Sequence, residues 1–170
     1  GLYPPGSTFK LVTAVAALEK QAIKSDTLIA DTGILRIGEF SFGNWYFLQH
    51  GKTEGELNVV GAIKRSNDIF FYRAAELTGV ENISSFAHRF GLGDKFGIDL
   101  DGEEKGTVPS PSWKEEAIGE PWYLGDTYNY GIGQGYLLTT PLQINTMAAV
   151  FASRGTMFAP HLIAGKSRIL

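Results

Sequence analysis

Leu11, Val12, Val15 and Leu18 recur at the spacing of one helix face and predict a helix that Ser7 starts and that runs to Lys20. The preceding Tyr3-Pro4-Pro5-Gly6 is not itself helix-compatible. Between Ile34 and Trp45 apolar and polar residues alternate in part, which predicts a strand or hairpin. Asn58 is placed to cap a second helix carrying Val59, Val60, Ala62 and Ile63 and stopping near Ser66. A third spans about Asp68 to Leu77, with Ile69, Phe70, Tyr72 and Ala75 on its apolar side and Gly79 as its stop. Asn82 to Phe90 reads as a short helix closed by Gly91-Leu92-Gly93. Lys95 to Asp126 is loop-rich, with Pro109, Pro111 and Pro121 and one short helix near Ser112 to Ala117. Thr140 caps a strong helix with Pro141 in its first turn and Gly155 beyond its end, and Met157 to Ile163 is expected to begin a strand.

These elements make one helix-rich α+β domain without an internal repeat, a low-complexity segment or a linker. The chain has 170 residues, enough to bury a real core, and its 44% hydrophobic and 19% charged residues are ordinary for a globular protein. The net charge of −3 and the lack of a basic run argue against nucleic acid as a partner. No apolar run is long enough to span a bilayer. With no cysteine, disulfides, thiolate catalysis and Cys-based metal sites are excluded. His50, His88 and His161 are far apart, and none stands in an H-x-x-x-H spacing that would suggest a metal site.

Ser7-Thr8-Phe9-Lys10 is an S-x-x-K, which on a helix puts a hydroxyl and an amine on one face. At a helix start the dipole favours a developing alkoxide and disfavours a protonated lysine. An ordinary lysine is neutral in only roughly one molecule in 2,500 at pH 7, so Lys10 needs a lowered pKa to act as a base. The tetrad alone is weak evidence, because about 0.7 matches are expected by chance in a chain of this length. By itself it reads first as an exposed serine cap and a solvated lysine.

Its context is more specific. Tyr3-Pro4-Pro5-Gly6-Ser7-Thr8-Phe9-Lys10 resembles the active-site segment of class B penicillin-binding proteins, the monofunctional peptidoglycan transpeptidases, and its Pro-Pro-Gly form resembles the elongation-type enzymes. Ser66-Asn67-Asp68, followed by Ile69-Phe70-Phe71-Tyr72, resembles the family's second signature, with Asp in the third position as in the elongation type. It also reads as a helix cap, a role compatible with a catalytic one. Gly125-Asp126-Thr127, Asn129, Gly131-Ile132-Gly133-Gln134-Gly135 and Thr139-Thr140-Pro141-Leu142-Gln143 resemble the segment leading into a long helix behind the active site. Most of this block reads as architecture.

The resemblance implies the α+β penicillin-binding transpeptidase or serine β-lactamase-like fold, with most of the central sheet missing from residues 1–170. The third signature, K-[ST]-G, is expected beyond Leu170, and strands are expected before Gly1. Gly51-Lys52-Thr53-Glu54 is a decoy, with Glu in place of Gly and the wrong position, and His50-Gly51 resembles a family segment in which His50 is not a base. Carried over by resemblance, Ser7 is the acylated nucleophile and Lys10 its general base. Ser66 is a proton shuttle, and Asp68 holds Lys10 or substrate. Asn67, Tyr128, Tyr130 and Gln134 are candidates for the edge of the substrate groove. The implied reaction is D,D-transpeptidation of peptidoglycan stem peptides, blocked by β-lactams, with no metal or organic cofactor. Residues 1–170 alone are expected to be weak or inactive, since one missing oxyanion-hole donor costs about 100- to 1,000-fold. The implied partners are a glycan polymerase and elongation proteins. The implied location is the extracytoplasmic face of the cell membrane, held by an N-terminal anchor. The alternatives are a serine β-lactamase or β-lactam sensor of the same fold, and a non-catalytic scaffold of the elongation machinery.

Overall fold

The computed structural model describes residues 1–99, 101–162 and 168–170. Gly6–Phe9 form one 3-10 turn, and helix α1 begins only at Lys10 and ends at Glu19. Ser7 thus stands on the tight turn before the helix and not at its cap. The strong helical stripe of Leu11, Val15 and Leu18 is only partly buried, whereas Val12, Thr13, Ala14, Ala16 and Ala17 are buried. A helix surrounded by neighbours buries its small residues, since these let other backbones approach, and α1 is of that kind.

Strand β1 is Ile29–Asp31, and β2 (Ile34–Ile37) pairs with β3 (Phe40–Gly43) as the expected hairpin, Ile34 facing Gly43. Helix α2, Trp45–His50, follows at once where Trp45 was expected to end the hairpin. Strand β4, Gly55–Leu57, returns antiparallel to β1 with Ile29 opposite Leu57. Helices α3 (Val59–Arg65) and α4 (Asp68–Thr78) are separated by two residues. Each has an asparagine cap, the predicted Asn58 on α3 and, within the Ser66-Asn67-Asp68 segment read as a cap, Asn67 on α4: Asn58 Oδ1 accepts from Gly61 N and Asn67 Oδ1 from Phe70 N, both at 2.9 Å. Helix α5 is Val80–Arg89, starting two residues before the expected Asn82. The loop-rich region holds the expected short helix, α6 (Pro111–Ile118), capped by Ser110, and an unforeseen one, α7 (Leu124–Gly131). Helix α8, Pro141–Ala152, has Thr140 and Gln143 in a reciprocal cap. Instead of a strand from Met157, there is an isolated bridge between Phe158 and Ile169; Ile163 lies outside the described residues.

Two two-stranded sheets are present among the described residues, so helices provide the core. Helices α1 and α4 run through it. Phe9, Val12 and Ala16 meet Ile83, Phe86, Tyr130, Leu137 and Met147 on one side. Ala14 and Ala17 meet Val59, Ala62, Phe70 and Phe71 on the other. A third cluster joins Leu35, Ile69, Tyr72 and Tyr128, and ties the hairpin to α4 and α7.

The Ser7 turn is held from below by the glycine segment after α7. Gly6 N donates to Gly133 O at 2.9 Å, and Tyr3 and Thr139 exchange backbone hydrogen bonds of 2.9 Å each. Gly133 has φ +77°, and a Cβ there would lie 2.1 Å from Gly6 O. Gly133→Ala therefore adds a backbone clash to the conformational cost of about 1–2 kcal/mol for a left-handed L-residue. At Gly119, with φ +82° and nothing within 4 Å of such a Cβ, only the conformational cost applies. Equilibrium denaturant unfolding should show Gly133→Ala as clearly the more destabilised of the two; equal midpoints would contradict the close approach.

Candidate active site

Lys10 sits at the first turn of α1 with only 3% of its surface exposed. Its Nζ donates to Asp68 Oδ1 at 2.6 Å, to Ser66 O at 2.8 Å and to Ser66 Oγ at 3.1 Å. Three ammonium hydrogens thus meet three acceptors, two from Ser66 in the link between α3 and α4 and one from Asp68 at the start of α4. Ser66 has φ +51°, a left-handed conformation uncommon for a non-glycine residue. With Ser66 in that conformation, its carbonyl and its hydroxyl both reach the same amine.

Asp68 opens α4, and its second oxygen, Oδ2, accepts from Trp45 N at 3.0 Å. Behind it lies a polar network that sequence reasoning missed. Asn44 Oδ1 accepts from Asp68 N at 3.1 Å, and Asn44 Nδ2 donates to Asp31 Oδ2 at 2.9 Å. Asp31 also accepts from Gly33 N at 2.8 Å and Glu54 N at 3.0 Å. Asn44 has no exposed surface and occupies the cap position of α2, but its side chain makes no cap bond there and serves Asp68 instead. The available signals were local ones: Asp31-Thr32-Gly33 reads as a turn and Asn44 before Trp45 as a helix start. Neither points to Asp68.

Burial pushes the Lys10 amine below its ordinary value of 10.5, and the charge and hydrogen bond of Asp68 pull it back only in part. The unfolded chain therefore binds more protons between the lowered value and the ordinary one. Lys10's contribution to stability is full above the ordinary lysine range and is lost as pH falls through the lowered value.

Ser7 is exposed, three residues before Lys10, and its hydroxyl makes no hydrogen bond among the described residues. Gln134 is exposed, and its Nε2 lies 3.7 Å from where a Cβ on Gly6 would stand, beside the Ser7 turn. The other groove candidates are placed elsewhere. Asn67 is fully buried, with its Nδ2 on Glu54 Oε2 at 3.1 Å and its Oδ1 on the α4 cap. Tyr128 and Tyr130 are each 1% exposed and belong to the core, because α7 turns their rings toward α4 and α1. Tyr128 stacks on Tyr72 and donates to Glu76 at 2.8 Å, and burial with that bond pushes its hydroxyl up to about 12. Tyr130 stacks on Phe9 at 5.2 Å. A groove of about 610 Å³ lies between the hairpin and the start of α7, lined by Ile37, Phe40, Phe42, Tyr123 and Leu124, and none of Ser7, Lys10, Ser66 or Asp68 faces it. No group of side chains among the described residues is arranged to hold a metal ion.

An exposed serine one turn before a buried lysine, in a helix-rich α+β unit, is the arrangement found in proteins that carry an S-x-x-K active site. Residues 1–168 match the family described as "Penicillin binding protein transpeptidase domain", and the chain belongs to that family. It is 37% identical over 165 residues to the peptidoglycan D,D-transpeptidase MrdA of Escherichia coli strain K12, covering 96% of this chain and 25% of that protein. The MrdA protein of Acinetobacter baumannii is 34% identical over the same share of the chain, 96%, with 24% of its own length covered. Among solved structures, the complex of penicillin-binding protein PBP2 with MreC from Helicobacter pylori superposes with a TM-score of 0.91 at 32% identity, over 99% of this chain and 31% of that one. Pseudomonas aeruginosa PBP2 in complex with WCK 5153 gives 0.87 at 35% identity, over 100% of this chain and 39% of that one. The chain thus spans about a quarter of the length of the curated relatives it matches.

Since Asp68 opposes the effect of burial on Lys10, Asp68→Asn should let the amine titrate lower still. An NMR titration of the Lys10 side chain should show a lower midpoint in Asp68→Asn than in the unsubstituted protein; an unmoved midpoint would show that Asp68 does not set the charge of Lys10.

Proposed function

We propose that the chain carries the nucleophile and the proton-transfer groups of a peptidoglycan D,D-transpeptidase. The observation that supports this most is the burial of Lys10 against Ser66 and Asp68 one turn after an exposed Ser7. A neutral Lys10 keeps two hydrogens for Asp68 and the Ser66 carbonyl and presents a lone pair to a hydroxyl. Ser7 Oγ attacks the penultimate D-Ala carbonyl of a stem peptide as its proton passes to Lys10. The peptide C–N bond breaks, and the leaving amine of the terminal D-Ala takes a proton from Lys10 through Ser66 Oγ. An amine of a second stem peptide then attacks the ester, loses its proton by the same route, and frees Ser7. With a β-lactam the broken C–N bond belongs to the ring, so no fragment departs and the acyl-enzyme persists. Gln134 lies beside the Ser7 turn and is the candidate of the groove set best placed to touch substrate.

By likeness to the relatives named peptidoglycan D,D-transpeptidase, and to a PBP2 solved with MreC, the whole protein works at the extracytoplasmic face of the cell membrane among elongation proteins and a glycan polymerase. No helix among the described residues is long and apolar enough to cross a membrane.

Intact-mass analysis of the full-length protein with benzylpenicillin tests the assignment. One adduct is expected, absent in Ser7→Ala and mapped to the peptide containing Ser7. A folded protein that forms no adduct would favour a scaffold role, and rapid turnover of the adduct would favour a β-lactamase.

A further inference from the structure

Lys114 is the second buried lysine, 2% exposed, and nothing in the acyl-transfer chemistry above uses it. Its Nζ donates to Asp126 Oδ2 at 2.8 Å and lies 3.5 Å from Glu120 Oε2. It stands over the ring of Tyr123 at 4.6 Å and that of Tyr136 at 5.5 Å. Burial disfavours its charge, but the bond to Asp126 and the surrounding negative groups outweigh that, and the amine stays protonated.

The contacts of Lys114 bracket one particular segment. Asp126 is in the first turn of α7, where the same Oδ2 also accepts from Tyr123 N at 2.8 Å. Tyr136, which also packs on Trp113 of α6 with ring centroids 5.5 Å apart, follows the glycine segment that α7 leads into. Between these two anchors, Gly131 O accepts from Thr13 Oγ1 at 2.8 Å, and Gly133 O accepts from Gly6 N at 2.9 Å. One cation on α6 therefore fixes both ends of the stretch on which the Ser7 turn rests. Gly133 leaves no slack at that contact, because its Cα faces Gly6 O too closely for even a methyl group.

We propose that Lys114 is a positioning residue for acylation, acting through Asp126 and Tyr136 on the Gly131–Gly135 segment to hold Ser7 at its working height relative to Lys10. The proposal rests on the assignment of Ser7 as nucleophile. It concerns rate and not binding, since Lys114 is buried.

The test is single-turnover acylation of the full-length protein by a fluorescent penicillin over a range of concentrations. The amplitude counts folded sites, and the saturating rate constant reports the geometry of each one. Lys114→Met should lower the saturating rate constant about 10- to 100-fold, the scale of a misplacement of about 1 Å. The half-saturating concentration should stay within a few-fold and the pH profile should keep its midpoint, while Lys114→Arg should restore most of the rate. Asp126→Asn, which keeps the lysine in place, should show the same loss and supplies the answer if Lys114→Met yields too little folded protein. Reduced amplitude with an unchanged rate constant in either variant would overturn the proposal and leave Lys114 as a purely structural ion. Absence of acylation in the wild-type protein would instead overturn the assignment of Ser7.

Discussion

Lys10 is under two opposing demands. Removal from water disfavours its charge, while Asp68 at 2.6 Å favours it, and burial prevails. An isolated exposed lysine would be a poor base at neutral pH, and a fully paired one would be poorer still. The proposed proton transfer requires the amine to be desolvated and held without being locked into its charged form. That demand places Lys10 at the first turn of α1, where the helix enters the core, and Asp68 at the first turn of α4. Breaking such a buried pair from one side typically costs about 3–5 kcal/mol, so the site and the fold are energetically joined.

The rest of the structure serves those positions. Alanines along α1 let α3 and α4 approach closely enough for the link between them to reach Lys10. The left-handed Ser66 at the end of α3 presents two oxygens to one amine, and Asn67 secures the next helix by capping it. The Asn44–Asp31 pair, buried behind Asp68, fixes the carboxylate from the backbone side. Buried polar groups that are each hydrogen-bonded make a stiff support, whereas one left unmatched would cost about 1–3 kcal/mol. On the opposite side the glycine segment after α7 supports the Ser7 turn by direct backbone contact. Ser7 and Lys10, three residues apart, are thus supported from different parts of the chain, Ser7 by the glycine segment and Lys10 by Ser66 and Asp68.

Local chemistry was readable from the sequence wherever it depended on neighbours a few residues away. Asn58, Asn67 and Thr140 announced their caps, and Gly79 its stop. The spacing of Ser7 and Lys10 placed both near one helix start. Two helices escaped detection for physical reasons. Trp45-Tyr46-Phe47 favours a strand by propensity, and Leu124–Gly131 contains two glycines; each is settled by tertiary packing. Tyr128 and Tyr130 were ambiguous because an aromatic ring with a hydroxyl suits both a groove and a core, and only the direction of α7 decides between them. The Asp31–Asn44–Asp68 network spans 37 positions of sequence with no periodic pattern, so nothing local announces it. The helix-rich α+β class was legible, but which helices cross the core follows from packing that no single segment displays.

The central claim is that burial leaves the Lys10 amine easier to deprotonate than a free lysine despite its carboxylate partner. The direct measurement is a pH titration of the Lys10 side chain by NMR in the intact protein, through selectively labelled lysine Cε and Nζ, with Lys10→Met assigning the signal. A midpoint below the ordinary lysine value of about 10.4 is the predicted result. A midpoint at or above that value would mean that the ion pair prevails, and would contradict the proposed role of Lys10 as the base that activates Ser7.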